Sequence, residues 1–211
     1  MKKIVFIIIL LIIAIGGLVY SRSHHVPVDT TVTRYSSSAV GVSFTYPKIL
    51  EVGTTGNIVD IHHSIPFEHH DYCDFKGEAT TTVPTLTDFN VAMQVVSKNL
   101  IDTMHSQSPY IPEENYINGE VVESPGFIDS VTYGELKGFK IFEGAEGCGQ
   151  TTYYFPVGNQ KTLVAKQEFI TIFSGAIDAD QGRQALLVPG VISKEREAEI
   201  LNSIFTTLTV N

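Results

Sequence analysis

Lys2-Lys3 precedes IVFIIILLIIAIGGLVY, an apolar run from Ile4 to Tyr20 that carries no charge. A helix of that length spans roughly 25 Å, near the lower limit for a bilayer core. The run constrains everything downstream. Its lysines hold the amino end on the cytoplasmic side, so the rest of the chain is expected to be exported. Two readings compete. A signal peptide would be cut near Val19-Tyr20-Ser21, a poor version of the small-x-small site, and would release a secreted protein. An uncleaved transmembrane anchor fits better, because the run exceeds a usual signal-peptide core. No Cys closely follows the run, which excludes lipid attachment there. The expected address is the cell membrane, single-pass, with the carboxy-terminal domain extracytoplasmic.

Three segments follow from composition. Residues 1–21 are the anchor or signal segment. Residues 22–38, within SRSHHVPVDTTVTRYSSS, are polar and aperiodic and read as a tether. Residues 39–211 form one extracytoplasmic domain. At 43% hydrophobic and 18% charged residues the chain can bury a core. Without Lys2 and Lys3, 12 basic residues face 23 acidic ones, a balance of −11. Such a surface repels phosphate backbones, and the sequence has no Arg/Lys cluster, so nucleic acid is not an expected partner.

Periodicity predicts the elements. Strands are expected at Val42–Tyr46, Ile58–His63, Ile128–Tyr133 and Gly138–Glu143. In DFNVAMQVV, Phe89, Val91, Met93 and Val95 share one face of a strand. Ser97 is a candidate cap for a helix with Leu100, Ile101 and Met104 on one side. TTYYFPV and KTLVAKQEFITI flank a hairpin turn at Gly158-Asn159. Alternation puts either Tyr153 and Phe155, or Tyr154, in the core. Residues 73–87, 107–126 and 177–184 read as loops. A terminal helix capped by Ser193 carries Ala198, Leu201, Ile204, Phe205 and Leu208 on one stripe. The sum is an α+β domain, an antiparallel sheet sandwiched by helices and preceded by an N-terminal transmembrane helix.

The chemistry candidates centre on HHSIPFEHHDYCD, residues 62–74, which holds four of seven histidines. His62 or His63, His69 or His70, and Cys73 could converge on zinc across the bend at Pro66, with Cys148 as a fourth ligand. Adjacent strand residues point to opposite faces, so each His pair offers about one ligand, and no metal signature has this spacing. In an exported chain two cysteines are most economically one disulfide. Cys73 and Cys148 lie 75 positions apart, and closing that loop stabilises by roughly 4 kcal/mol in the chain-entropy model. Free thiols remain the third reading. Cys148 between glycines could be a nucleophile, though the same glycines suit a tight bend. Asp71, Asp74, Glu78, Asp88, Glu143 and Glu146 could supply an acid–base pair, but loop carboxylates are normally just solvated, and Asp88 reads as a turn or strand-start residue. Asp178-Ala-Asp180-Gln-Gly182 fails as a calcium loop, with Gly one place early and Pro189 where Glu is needed. Neither a G-x-S-x-G, a P-loop nor a dinucleotide fingerprint is present.

GVSFTYP, the strand-then-helix of the first half, the YYFP–turn–TLVA hairpin and the closing EAEILNSIFTTL helix resemble the Mog1/PsbP-like fold over about residues 40–211. The stretches HSIPFEHHDYCDF, LTDFNV, PGFIDS, EGCGQTTYYFP and LVPGVIS are also similar to uncharacterised membrane-anchored bacterial proteins, which lend no activity. The PsbP-like resemblance implies a binding or assembly factor rather than an enzyme. The expectation is therefore a non-catalytic, membrane-tethered module with no catalytic residue assigned, taking an envelope protein or small ligand as partner. The alternative is a metal- or thiol-dependent envelope enzyme using the His62–Cys73 stretch with Cys148.

Overall fold

A computed structural model describes residues 31–70, 73, 82–145, 148–175 and 178–211. The expected membrane helix lies outside the described residues. Among those described, no helix is long and apolar enough to cross a membrane. Two strands open the domain, β1 (Val32–Ser37) and β2 (Val42–Pro47), followed by β3 (Glu51–Thr55) and β4 (Ile58–Ile65). β1 occupies part of the stretch read as tether. Its alternating exposure and its full register with β2, from Val32↔Pro47 to Ser37↔Val42, give its polar Thr/Ser sequence a strand partner.

After a two-residue ribbon, β5 (His69–His70) with β6 (Thr82–Val83), comes the long β7 (Leu86–Val96) and then α1 (Leu100–Gln107). A single 3-10 turn at Glu113–Asn115 leads into the small hairpin of β8 (Tyr116–Ile117) and β9 (Glu120–Val121). Residues 107–126 thus hold more structure than a plain loop. Four strands follow, β10 (Ile128–Tyr133), β11 (Leu136–Ala145), β12 (Cys148–Val157) and β13 (Lys161–Glu168). The chain closes with a 3-10 turn (Thr171–Phe173), α2 (Ala179–Ala185), α3 (Lys194–Thr207) and β14 (Thr209–Val210).

The main sheet has seven strands in the order β10-β11-β12-β13-β7-β4-β3, every neighbouring pair antiparallel. A second sheet, β1-β2-β14, joins α3 over one face. There Val42, Phe44, Leu201 and Phe205 meet Ile61, Phe89, Met93 and Phe155 in the larger core. Met104 of α1, with Ile111, covers Ile128, Ile141, Tyr154 and Val164 on the other face. The protein is an α+β fold. Because both faces are covered, Tyr153, Tyr154 and Phe155 are all buried, and the expected split into core and surface does not hold.

Three local readings are corrected. The cap of α1 is Asn99 rather than Ser97, because β7 runs to Val96 and the Asn99 carboxamide oxygen accepts the Asp102 N–H at 2.9 Å. Residues 177–184 are not all loop, since Asp178 caps α2 by accepting the Asp180 and Gln181 N–H groups at 3.0 Å. Ala198 is exposed, and the buried stripe of α3 is Glu197, Ile200, Leu201, Ile204 and Phe205. Ser193 caps α3 as expected, accepting the Arg196 N–H at 3.3 Å.

Candidate functional site

Cys73 and Cys148 form a disulfide with Cα atoms 5.6 Å apart. Cys148 opens β12 directly across a tight hairpin from Ala145, and its sulfur is buried. The Thr171 hydroxyl lies 2.8 Å from the Cys73 sulfur. Bridged sulfurs offer neither a thiolate nucleophile nor a thiolate metal ligand. The readings that used Cys148 as a nucleophile and Cys73 as a ligand are therefore overturned.

The four histidines do not converge. Strand alternation separates His62 from His63. His62 sits 3.4 Å from Glu51 on the next strand, with 43% of its side chain exposed. His69 is used locally, its Nδ1 2.9 Å from the His70 carbonyl and its Nε2 3.3 Å from the Thr85 carbonyl. His70 follows it on the short ribbon β5–β6. Among the described residues no group of three or more His, Cys, Asp or Glu is placed to hold a metal. Asp71, Asp74, Glu78 and Glu146 lie outside the described residues.

His63 has a different role. Its Nδ1–H donates to Asp88 Oδ1 at 2.6 Å, and Asp88 Oδ2 accepts the backbone N–H of Ile192 at 2.7 Å. Asp88 is completely buried. The register of β4 against β7 explains how a polar residue arrives there. His63 pairs with Phe89 and Ser64 with Thr87, leaving Asp88 as the extra residue of a β-bulge. A bulge breaks the alternation and re-aims the side chain. Asp88 thus ties β4 and β7 to the segment that enters α3, and this buried role differs from that of a strand-start residue.

A cleft of about 460 Å³ opens beside the disulfide, between the β11–β12 hairpin, the end of β13, the following 3-10 turn and the first turn of α3. Phe142 and Phe169 stack in its wall with centroids 4.8 Å apart, joined by Phe173 and Ile170. Phe142 is half exposed. Glu197 also lines the cleft, although the residue is only 9% exposed. Its Oε1 accepts Gln167 Nε2 at 2.7 Å, and Gln167 Oε1 accepts the Tyr153 hydroxyl at 3.0 Å. Burial, reinforced by the charge of Asp88, holds the Glu197 carboxyl above its ordinary range, against the opposing effects of Gln167 and Lys194. Burial likewise pushes the Tyr153 phenol up. On the opposite face, Glu143 is well satisfied: Ser108 and Thr152 donate to it at 3.0 and 3.1 Å, and Gln150 donates as well. That carboxylate has a structural task.

Sequence reasoning missed Asp88 and Glu197 as buried carboxylates. For Glu197 the signal was present, since it lies three and four positions before Ile200 and Leu201 on the buried face. For Asp88 there was none, because strict alternation predicts that it faces away from Phe89.

No family model matches the chain, and no curated protein matches it. Among solved structures, a crystal structure from Bacteroides thetaiotaomicron VPI-5482 is similar over 84% of this chain, with a TM-score of 0.42 and 10% identity. The chain spans 48% of that protein's length.

Proposed function

We propose that this protein is a membrane-tethered extracytoplasmic binding or assembly module of the cell envelope, without catalytic activity, anchored by a transmembrane helix at Ile4–Tyr20. Its α+β sandwich is read as Mog1/PsbP-like. The observation that carries the reading is the Cys73–Cys148 bridge. Disulfides persist in oxidising compartments, so a bridge that joins the β11–β12 hairpin to a distant loop favours an exported domain. The apolar run behind Lys2-Lys3 supplies the route out. Support for a binding role comes from the aromatic-walled cleft, which has a size suited to a small ligand or a partner's side chain. The acidic balance of the chain disfavours nucleic acid as that partner.

The test is a topology measurement in a bacterium. A β-lactamase fused through a flexible linker after Asn211 is expected to confer resistance, to remain in the membrane pellet after alkaline carbonate, and to carry no alkylatable thiol until reduced. A reporter active only in the growth medium would remove the anchor. An inactive reporter with two alkylatable cysteines would overturn the reading.

A further inference from the structure

We propose that the cleft beside the Cys73–Cys148 bridge binds an organic cation, an ammonium or guanidinium group carried on an apolar or aromatic body. The inference rests on the reading of this domain as a binding module, though not on its address. Two features of the cleft point the same way.

The first is Glu197. One carboxylate oxygen is held by Gln167 at 2.7 Å. The other accepts no hydrogen bond among the described residues, and no cation there lies within ion-pairing distance. That oxygen is not among the sealed, unpartnered atoms of the described residues and so keeps contact with the cleft; an entering ammonium or guanidinium would take the place of water there and supply the opposite charge. The second is the wall. Phe142 and Phe169 stack on each other there, and Phe142, half exposed, keeps ring surface open whose quadrupole attracts a cation.

Charge discriminates further. Glu168 lines the same cleft as Glu197, and together with the chain's formal charge of −9 it disfavours an anion. Lys194 also lines it but is exposed, and its long stem lets the head group stay in water. Facing Glu197 are therefore Lys194 from its own helix, Gln167 from β13, Tyr153 from β12 and Asp88 from β7. Of these, Asp88 opposes ionisation and Lys194 favours it. Cation binding follows the ionised carboxylate, so affinity should rise with pH through a range above that of an ordinary Glu and then level off.

The experiment is calorimetric titration of the full chain in detergent with three probes of one shape: 2-phenylethylammonium, 2-phenylethanol and phenylacetate. The ammonium is expected to bind saturably and at least tenfold tighter than either of the others. Glu197→Gln should bring ammonium and alcohol to equal affinity, and Phe142→Ala, at a half-exposed position, should weaken both. Equal binding of the three probes by the unaltered protein would overturn the proposal without recourse to any variant. So would the absence of saturable binding, or an ammonium affinity that Glu197→Gln leaves unchanged. A capped Phe-Lys dipeptide amide, run beside the probes, distinguishes the sources of the cation. Tenfold tighter binding than the simple amine points to a protein partner's side chain, and equal or weaker binding points to a free small molecule; both uphold the site. An exported domain that ignores the ammonium fails this inference alone, and a cytoplasmic reporter with ammonium binding fails only the address.

Discussion

Asp88 joins β4 and β7 to the entry of α3 through a single buried carboxylate. It accepts from His63 on β4 and from the Ile192 backbone just before α3. Deleting either partner leaves a different group stranded. Asp88→Ala strands the Ile192 N–H, at roughly 1–3 kcal/mol for a buried donor. His63→Ala leaves the Asp88 carboxylate fully buried with one backbone donor, and removing one partner of such a pair costs roughly 3–5 kcal/mol. Urea unfolding is expected to rank His63→Ala as the more damaging, and the double variant should lose less than the sum of the two. Strict additivity would show that the two side chains do not act as a unit. None of this was legible in the sequence. DFNVAMQVV displays its core face openly at Phe89, Val91 and Met93, but the bulge that turns Asp88 inward is set by the partner strand. A long-range register leaves no mark on local periodicity.

At the scale of elements, the legible pieces were the long apolar ones: β7 and α3 by their period, α3 with its Ser193 cap, and β12 by its unbroken run although not by alternation. The missed pieces were short and polar. α2 has seven residues and holds its place by capping and by Gly182 and Ala185 packing inward. β1 is a Thr/Ser strand that exists because β2 pairs with it. The β11–β12 hairpin carries the sharpest local constraint. Gly144 and Gly149 face each other across it, and Gly149 has φ +135°. A Cβ there would sit 2.0 Å from the Glu143 carbonyl oxygen. Gly149→Ala must therefore push β11 and β12 apart, and overpacking of this kind costs about 1–3 kcal/mol or more. Thermal unfolding should show the loss. Since Phe142 belongs to the same hairpin, hydrogen exchange should rise at the cleft wall while α1 keeps its protection. Unchanged stability would mean that the hairpin accommodates the methyl group by sliding.

For the whole molecule, the disulfide is the longest-range covalent constraint. The double variant Cys73→Ser/Cys148→Ser is expected to lose about 4 kcal/mol of stability, from loop closure over 75 positions. Reducing agent should lower the unfolding midpoint of the native protein to near that of the variant and leave that of the variant untouched. Coincident midpoints for oxidised and reduced protein would show that the bridge contributes nothing. The pairing was legible because only two cysteines exist; the dispersal of the four histidines was not, because it depends on which strand faces each. Beyond the covalent link, β2 is flanked by β1 on one side and by Thr209–Val210 on the other, and the Asn211 N–H reaches the Gly41 carbonyl at 2.8 Å. The Ser43 and Thr209 hydroxyls that meet there are 166 positions apart. On a ribosome delivering ~5–20 residues per second, that separation is a waiting time of roughly ten seconds to half a minute. Throughout it one edge of β2 is a strand without its neighbour, so the small sheet cannot close until Thr209 and Val210 have been made.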